Sequence, residues 1–248
     1  MTAIITERHG NIGLIRLAES VINPLGPELI TELGQALESL ESDSRGLILC
    51  GGEKFFSIGF DLPVLLKLNR DGMRRFYSGF NQTLFKLLTL PLPTLCCITG
   101  HAVAGGCILS LGCDFRIAAS EKAKIGLNEI VIGVPVPLLA DRLLRHIVGN
   151  QAATRMMYTG DFITAAEAET IGLVDETLTR EELENRGLEK IQRFAAASMP
   201  AFARIKANRV HDIASCFKRQ FPASLEAFLD IWFSPETREL LFKASEKF

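Results

Sequence analysis

The sequence predicts an α/β fold, and three of its features support this prediction. Over roughly the first two thirds of the chain, short apolar segments typical of strands alternate with longer segments of helical periodicity. In the middle, at residues 92–129, an apolar segment leads into a glycine-rich turn and then a second apolar segment. The last quarter is dominated by helical patterns. We therefore expect a layered core of strands and helices, with C-terminal helices that cover it or mediate assembly.

The central segment predicts a buried strand, a glycine turn and a buried helix, in that order. Residues 94–99 are apolar and partly β-branched, and the glycine-rich turn at 100–106 follows directly. Residues 107–113 are almost wholly apolar, which indicates a buried helix. A membrane span is the alternative for an apolar stretch of this length, but the glycines in its middle argue against it. Free N–H groups at the start of such a helix favour a negatively charged oxygen.

The other elements are predicted from apolar periodicity and from glycine and proline. Short apolar segments that end at turn residues predict strands at 3–7, 11–17, 46–50, 115–119 and 173–177. Apolar residues at helical spacing predict helices from Pro27 onward and at 73–90, 138–148, 151–158, 181–197 and 200–213. A further helix is expected behind Thr164, because threonine is a favourable N-cap. The tail at 217–247 is predicted to be helical, with breaks at Pro222 and Pro235.

Composition and charge restrict the range of functions. Of the 248 residues, 48% are apolar and 23% are charged, which is ordinary for a globular protein with a sizeable core. The 27 basic and 29 acidic side chains leave a net charge of −2, so we expect no nucleic-acid partner. No signal peptide is recognised, and the cysteines lie mostly in apolar segments, so we expect a cytoplasmic protein with reduced thiols and no membrane partner. The four histidines have no metal-ligand spacing, and no metal is expected.

Two glycine turns and one glutamate are the candidates for chemistry. The turns at 57–60 and 104–106 each follow a buried strand, and ligands of open α/β sheets bind beyond the carboxyl ends of the strands. Each turn can therefore direct a backbone N–H at one carbonyl oxygen, as in an oxyanion hole. Glu129 has apolar residues nearby on both sides, so we expect burial to raise the pKa of its carboxyl and make it a proton shuttle. A surface glutamate at the start of a helix is the alternative.

A thiol nucleophile is a further alternative. Cys107 with His101 suggests such a nucleophile and its base, but the sequence offers no third residue that would orient them. We therefore interpret Cys107 as a small apolar residue that packs at the start of a buried helix. The glycine turns also lack the lysine and the further glycines of phosphate-binding and dinucleotide-binding motifs.

Four sequence blocks occur in a characteristic order. They are FFSIGFDL, GHAVAGGCILSLGCDFRIAA, IGLNEIVIGVPVP and TGDFITAAEAETIGLVDETL. Together they resemble the crotonase (enoyl-CoA hydratase/isomerase) superfamily over roughly residues 45–178. The resemblance implies a crotonase-like spiral of ββα units at 1–195. It also implies a helical C-terminal region at 196–248, part of the same structural unit, that builds homotrimers or hexamers.

The resemblance also implies acyl-CoA thioester substrates of fatty acid metabolism and a role for individual residues. No separate cofactor is expected, because coenzyme A is part of the substrate. The backbone N–H groups of Phe60 and Gly105 are implied to form the oxyanion hole, and Glu129 to be the catalytic acid and base. The remaining residues implied to contact coenzyme A or the acyl group are Ser57, Ile58, Gly59, Asp61, Leu62, Ile108 and Asn128.

Two positions depart from the hydratases of the superfamily. Those enzymes carry a first catalytic glutamate where this chain has Ile108, and usually a proline where it has Asn128. An apolar residue at the first position, followed by GLNE, is similar to the Δ3-Δ2-enoyl-CoA isomerases, which move a double bond with one base. We therefore expect an isomerase. The alternatives are a hydratase or related acyl-CoA lyase that uses Asp141 or an ordered water, and a catalytically silent protein that binds acyl-CoA or acts as an assembly subunit.

Overall fold

The computed structural model describes residues 2–120 and 123–246, and it confirms the predicted α/β class. The strands are β1 (Ile4–His9), β2 (Ile12–Leu17), β3 (Pro24–Leu25), β4 (Gly46–Cys50), β5 (Phe55–Ser57), β6 (Gly59–Phe60), β7 (Thr94–Ile98), β8 (His101–Val103), β9 (Phe115–Ala119), β10 (Ile125–Gly126) and β11 (Glu176–Leu178). The helices are α1 (Pro27–Glu41), α2 (Leu62–Leu65), α3 (Arg70–Thr89), α4 (Gly105–Leu111), α5 (Leu138–Thr159), α6 (Ala165–Thr170), α7 (Arg180–Ala195), α8 (Met199–Trp232) and α9 (Pro235–Ser245). A 3₁₀ helix lies at Glu129–Ile132.

The main sheet has the strand order β1-β2-β4-β7-β9-β11. Strands β1 and β2 form the predicted antiparallel hairpin, and the pairs that follow are parallel. Every residue of β4 and β7 is buried, as expected for parallel strands that are covered on both faces. On one face, α7 places Leu183 and Ile191 against Ile48 and Leu95. Helices α1 and α3 pack on the other face, and α8 packs against α3.

The apolar stretch at 94–113 is divided between β7, β8 and α4. The sequence does not predict β8, because three residues between glycines carry little local signal. Its partners β5 and β10 come from distant parts of the chain and form a small second sheet with it. Among the described residues, no helix combines the length and apolar character needed to cross a membrane.

Helix α8 overturns one prediction. The expected break at Pro222 is wrong, because the helix continues from Met199 to Trp232 with this proline inside it. Pro222 is exposed, so water can hydrogen-bond to the backbone group that the proline leaves unpaired. Just beyond it, two arginines of α3 hold the helix: Arg70 Nη2 lies 2.6 Å from Asp230 Oδ1, and Arg74 Nη2 lies 3.0 Å from Glu226 Oε2. Tertiary contacts with α3 thus outweigh the tendency of Pro222 to end the helix.

Three predicted helix boundaries are confirmed. Gly149 has a φ of +77° and interrupts α5, so the two predicted helices meet there. Thr164 caps α6 through a reciprocal pair of hydrogen bonds with Glu167. Pro235 begins α9, after the chain has turned at the end of α8.

Asn23 connects the end of β2 to the first glycine turn. It is fully buried and has a φ of +45°, a conformation that asparagine tolerates better than most residues. Its Nδ2 donates to Leu17 O and to Phe56 O, both at 3.2 Å. The backbone carbonyl of Asn23 accepts a 2.7 Å hydrogen bond from Ser57 Oγ, which in turn accepts from Gly59 N at 3.1 Å. The side chain and backbone of one buried residue, Asn23, therefore fix the position of residues 56–59, which lead into the first glycine turn.

We expect the substitution Asn23→Ala to lower the free energy of unfolding by at least about 1–3 kcal/mol, because it leaves buried carbonyl groups without a donor. Urea denaturation followed by circular dichroism measures this loss. The matched control is Asn11→Ala at an exposed turn position, which should change stability by less than about 0.5 kcal/mol. Equal stabilities of the two variants would contradict the role assigned to Asn23.

Candidate active site

The two predicted glycine turns lie directly against each other. Gly59 has a φ of +96°, and a Cβ atom built on it would lie 3.0 Å from Val103 O and 3.2 Å from Gly105 N. A Cβ atom built on Gly106 would lie 2.4 Å from Ser57 O. Because any side chain would prevent this approach, glycine is required at both positions. The ends of β5 and β8 thus form one continuous backbone surface.

The second turn contains a strained residue. Ala104 has φ 46° and ψ −118°, a combination that residues with a side chain rarely adopt. Such a conformation costs about 1–3 kcal/mol and persists only where neighbouring contacts enforce it. Here Ala104 N donates to Gly126 O at 2.8 Å, and Ala104 O accepts from Ile108 N at 2.9 Å. The strained residue makes Gly105 the first residue of α4.

The backbone N–H groups of Phe60 and Gly105, the two predicted oxyanion donors, are not used in the pairing of their own elements described next. Leu25 pairs with Phe60 in parallel register and accepts a 3.1 Å hydrogen bond from Asp61 N. Since successive N–H groups of a strand point in opposite directions, the N–H of Phe60 faces away from Leu25. The N–H of Gly105 has no partner within α4, because it belongs to the first turn of the helix.

A cavity of about 180 Å³ lies in front of these turns. The predicted site residues that line it are Ile58, Phe60, Leu62, Gly105, Ile108, Asn128 and Glu129. Phe228 and Trp232 of α8 complete the wall. Sequence reasoning missed these two aromatic residues. Their spacing of four places them on one helix face, but nothing local indicates what that face meets.

The other predicted site residues support the first turn rather than line the cavity. Ser57 has no exposed surface, and its hydroxyl hydrogen-bonds within the protein to Asn23 and Gly59. Gly59 provides the positive φ of the turn. Asp61 caps α2 by accepting a 3.1 Å hydrogen bond from Val64 N. The expectation that coenzyme A lies along the backbone of 57–62 remains a prediction.

Glu129 is buried, with 5% of its surface exposed, and its Oε2 atom has no hydrogen-bond partner in the described protein. Burial raises the pKa of its carboxyl to about 7, and a backbone hydrogen bond at Glu129 itself opposes this only in part. The direction of the shift agrees with the sequence analysis, but the reason differs. Its neighbours Ile130 and Val131 are 55% and 58% exposed, so elements distant in sequence, including α8, bury the carboxyl.

Asp141, the rival for a second catalytic carboxylate, is engaged elsewhere. It lies in the first turn of α5, as expected, and its Oδ1 is 2.8 Å from Nε of Arg145. Asp141 does not line the cavity. Among the described residues that do, Glu129 is the only carboxylate.

The structure does not favour a thiol nucleophile. Burial raises the pKa of Cys107 to about 12, so the thiol stays protonated at neutral pH. His101 Nδ1 accepts a 2.9 Å hydrogen bond from Lys124 N, and its ring packs against Phe55. These observations agree with the interpretation of Cys107 as a packing residue.

Among the described residues, one group of potential metal ligands lies on β1 and α7, outside the lining of the cavity. Ligand atoms of Glu7, His9 and Glu184 lie within 4.8 Å of one another, a proximity that the sequence does not reveal. Arg16 already supplies positive charge there: its Nη2 is 2.8 Å from Glu184 Oε2 and 3.5 Å from Glu7 Oε1. The group is therefore a partly exposed ion-pair cluster.

The raised pKa of Glu129 predicts how stability depends on pH. An unfolded glutamate loses its proton near pH ~4.3, whereas the folded protein retains that of Glu129 up to a pKa of about 7. Between these values the folded state binds more protons, so stability falls as pH rises and levels off above the folded pKa. We expect Glu129 to reduce the free energy of unfolding by about 2–3 kcal/mol between pH ~5 and pH ~8.

Urea denaturation over this pH range measures the effect, with Glu129→Gln as the control. Glutamine has nearly the same shape and does not titrate, so the difference between the two proteins isolates Glu129 from the other ionisable groups. Parallel stability curves for wild type and Glu129→Gln would show that the carboxyl is not held in an apolar environment.

Comparisons with known proteins agree with this geometry. The family model described as enoyl-CoA hydratase/isomerase matches residues 7–245. A probable enoyl-CoA hydratase of Rhizobium meliloti (strain 1021) is 33% identical over 203 residues, which cover 80% of this chain and 77% of that protein. The mitochondrial enoyl-CoA delta isomerase 1 of Mus musculus is 30% identical over 197 residues, which cover 77% of this chain and 68% of that protein.

The fold is also shared with solved structures. The crystal structure of human mitochondrial delta3-delta2-enoyl-CoA isomerase superposes with a TM-score of 0.95 at 27% identity, covering 99% of this chain and 97% of the human one. The match extends through the C-terminal helices, where the four sequence blocks carry no resemblance. With its paired glycine turns and a family match over nearly its full length, the chain belongs to the enoyl-CoA hydratase/isomerase family and has the crotonase fold.

Proposed function

We propose that the protein is an enoyl-CoA isomerase that moves the double bond of a 3-enoyl-CoA thioester to position 2. The observation that carries this proposal is that Glu129 is the only carboxylate among the described residues lining the cavity. Hydration needs one group to activate water and another to handle the proton at C2, whereas a double-bond shift needs a single base. Relatives named as hydratases and as isomerases match at similar identity, so the choice between them rests on the cavity.

In the proposed mechanism, the carboxylate of Glu129 removes a proton from C2 of the substrate. The electron pair of the C–H bond moves onto the thioester carbonyl and produces an enolate. The N–H groups of Phe60 and Gly105 donate hydrogen bonds to the enolate oxygen, and each such donor accounts for about 10²–10³ in rate. Glu129 then returns the proton to C4, which leaves the double bond between C2 and C3.

The raised pKa suits this shuttle. A carboxyl with a pKa of about 7 is largely ionised slightly above neutral pH, yet its acid form is strong enough to return the proton. An ordinary glutamate would be a weaker base by more than two pKa units. Burial beside Ile108, which is 1% exposed, would also keep water from the reacting carbons.

The predicted homotrimer or hexamer and the cytoplasmic location remain predictions. Apolar side chains on the outer surface are consistent with assembly. Tyr158 is 76% exposed and Ile205 is 61% exposed, which leaves apolar surface on α5 and α8 for a partner subunit to cover.

We expect Glu129→Gln to lower turnover of a 3-enoyl-CoA by about 10²-fold or more, because it removes the base. The rise in absorbance of the conjugated 2-enoyl thioester measures the reaction. In wild type, kcat/KM should increase with pH through an apparent pKa near 7, since the ionised carboxylate is the active form.

Asp141→Asn is the matched control and should retain activity. Near-normal turnover by Glu129→Gln with loss of activity in Asp141→Asn would assign the chemistry to Asp141 instead. If wild type consumes a 2-enoyl-CoA faster than it isomerises the 3-enoyl-CoA, the protein is a hydratase. Binding of acyl-CoA without either reaction identifies a silent member of the family.

The substitution Ile108→Glu tests why the chain should be an isomerase. It places a second carboxyl in the cavity beside Glu129, and two close carboxylates resist ionising together, so one would act as an acid beside a base. We expect hydration of a short 2-enoyl-CoA to rise clearly above the wild-type rate. A loss of stability of about 1–3 kcal/mol should accompany this, because a polar group is buried.

Ile108→Leu is the control, because it keeps the position apolar and should not gain hydratase activity. Both variants must first be shown to be folded, by circular dichroism and by binding of acyl-CoA. Equal hydration by Ile108→Glu and Ile108→Leu would show that position 108 does not separate the two reactions.

A further inference from the structure

We propose that the site accepts short acyl chains and excludes long ones, and that Trp232 sets this limit. The inference rests on the proposed function only in taking the cavity as the acyl pocket. It concerns which substrates fit, rather than which reaction follows.

The cavity has an open side and a closed side. Val131 is 58% exposed and Ile58 is partly exposed, so a ligand can enter past them. Trp232 has no exposed surface and Phe228 has 2%, so these rings form the closed end. A chain that enters at the open side and passes Glu129 therefore meets the two aromatic rings.

The small volume of the cavity favours a short acyl chain. Ligand pockets for larger molecules measure about 300–1,000 Å³. This cavity measures about 180 Å³. The cavity is thus smaller than the usual pocket for a drug-sized ligand. We infer that the reacting end of the acyl group takes up much of this space, so that a long chain fits less well than a short one.

The closed end is held firmly by α3. The ring of Tyr77 stacks on that of Phe228 with centroids 3.7 Å apart, and Phe228 stacks on Trp232 at 5.7 Å. On the outer side of the same contact, Arg70 and Arg74 form ion pairs with Glu226 and Asp230. Interiors packed in this way do not yield to an extra methylene without strain.

The segment after Trp232 is fastened as well. Thr237 Oγ1 donates a 3.0 Å hydrogen bond to Gly133 O, in the loop that follows Glu129. Arg238 Nη2 donates at 2.9 Å to Leu66 O, just beyond α2. Helix α9 is thus hydrogen-bonded to the two segments that carry the lining residues Ile132 and Leu62. A long acyl chain could displace α9 only by breaking these hydrogen bonds.

The ring of Trp232 is held by packing rather than by hydrogen bonding. Its indole N–H is buried and has no hydrogen-bond partner in the described part of the chain. Trp232→Phe should therefore keep an aromatic wall. Trp232→Leu removes the second ring and opens the closed end.

The test is calorimetric titration with butanoyl-, hexanoyl-, octanoyl- and decanoyl-CoA, which are saturated and report binding without reaction. We expect wild type to bind decanoyl-CoA at least about 10-fold more weakly than hexanoyl-CoA, because the longer chain cannot enter. In Trp232→Leu this ratio should fall to about threefold or less. Trp232→Phe should retain the wild-type ratio, as should Ile231→Ala, a change at the neighbouring, partly exposed residue.

The wild-type series alone decides the chain-length limit, so the test does not depend on any variant folding. Equal or tighter binding of decanoyl-CoA by wild type would overturn the proposal. A wild-type ratio that persists in Trp232→Leu would overturn the role of Trp232, and Phe228→Leu replaces this variant if it does not fold. Failure of every acyl-CoA to bind would instead contradict the proposed function. If the protein binds short acyl-CoA more tightly than long acyl-CoA but does not isomerise a 3-enoyl-CoA, the chain-length limit is supported and the proposed isomerase activity is contradicted.

Discussion

The contact between the two glycine turns is the constraint on which the rest of the site depends. Gly59 and Gly106 bring two backbone segments closer than any side chain allows. This approach places Phe60, Gly105 and Ile108 on the wall of one cavity. Asn23, Ser57 and the strained Ala104 all serve to maintain it. Loss of this contact would separate Phe60 from Gly105, even if Glu129 kept its position.

The environment of Glu129 depends on a different part of the chain. The 3₁₀ helix carries the carboxyl to the cavity, but its immediate neighbours face outward. The aromatic rings of α8 form much of the apolar surroundings that raise its pKa. In the proposed mechanism, the N-terminal part of the chain thus supplies the hydrogen-bond donors, and the C-terminal helices supply the low polarity in which a proton is transferred.

How much the sequence predicts depends on how local each feature is. The hairpin, β4, β7, the glycine turns and the cap at Thr164 follow from residue types within a few positions, and these predictions are confirmed. Strand β8 and the continuation through Pro222 depend on partners far along the chain. The same holds for Phe228 and Trp232. The sequence predicts that they lie in a helix, but it does not predict that they line the cavity, because only tertiary packing brings them there.

The fastening of α8 to α3 has a consequence for how the protein matures. Arg70 and Glu226 lie 156 positions apart, and this contact forms only after the chain has been synthesised past Glu226. Without α8, Glu129 would lose part of its apolar surroundings, and the cavity would lack the rings of Phe228 and Trp232. The C-terminal helices therefore complete the apolar compartment around Glu129. A nascent chain that ends before α8 would carry both glycine turns and Glu129, but it would lack part of the surroundings that raise the pKa of this carboxyl.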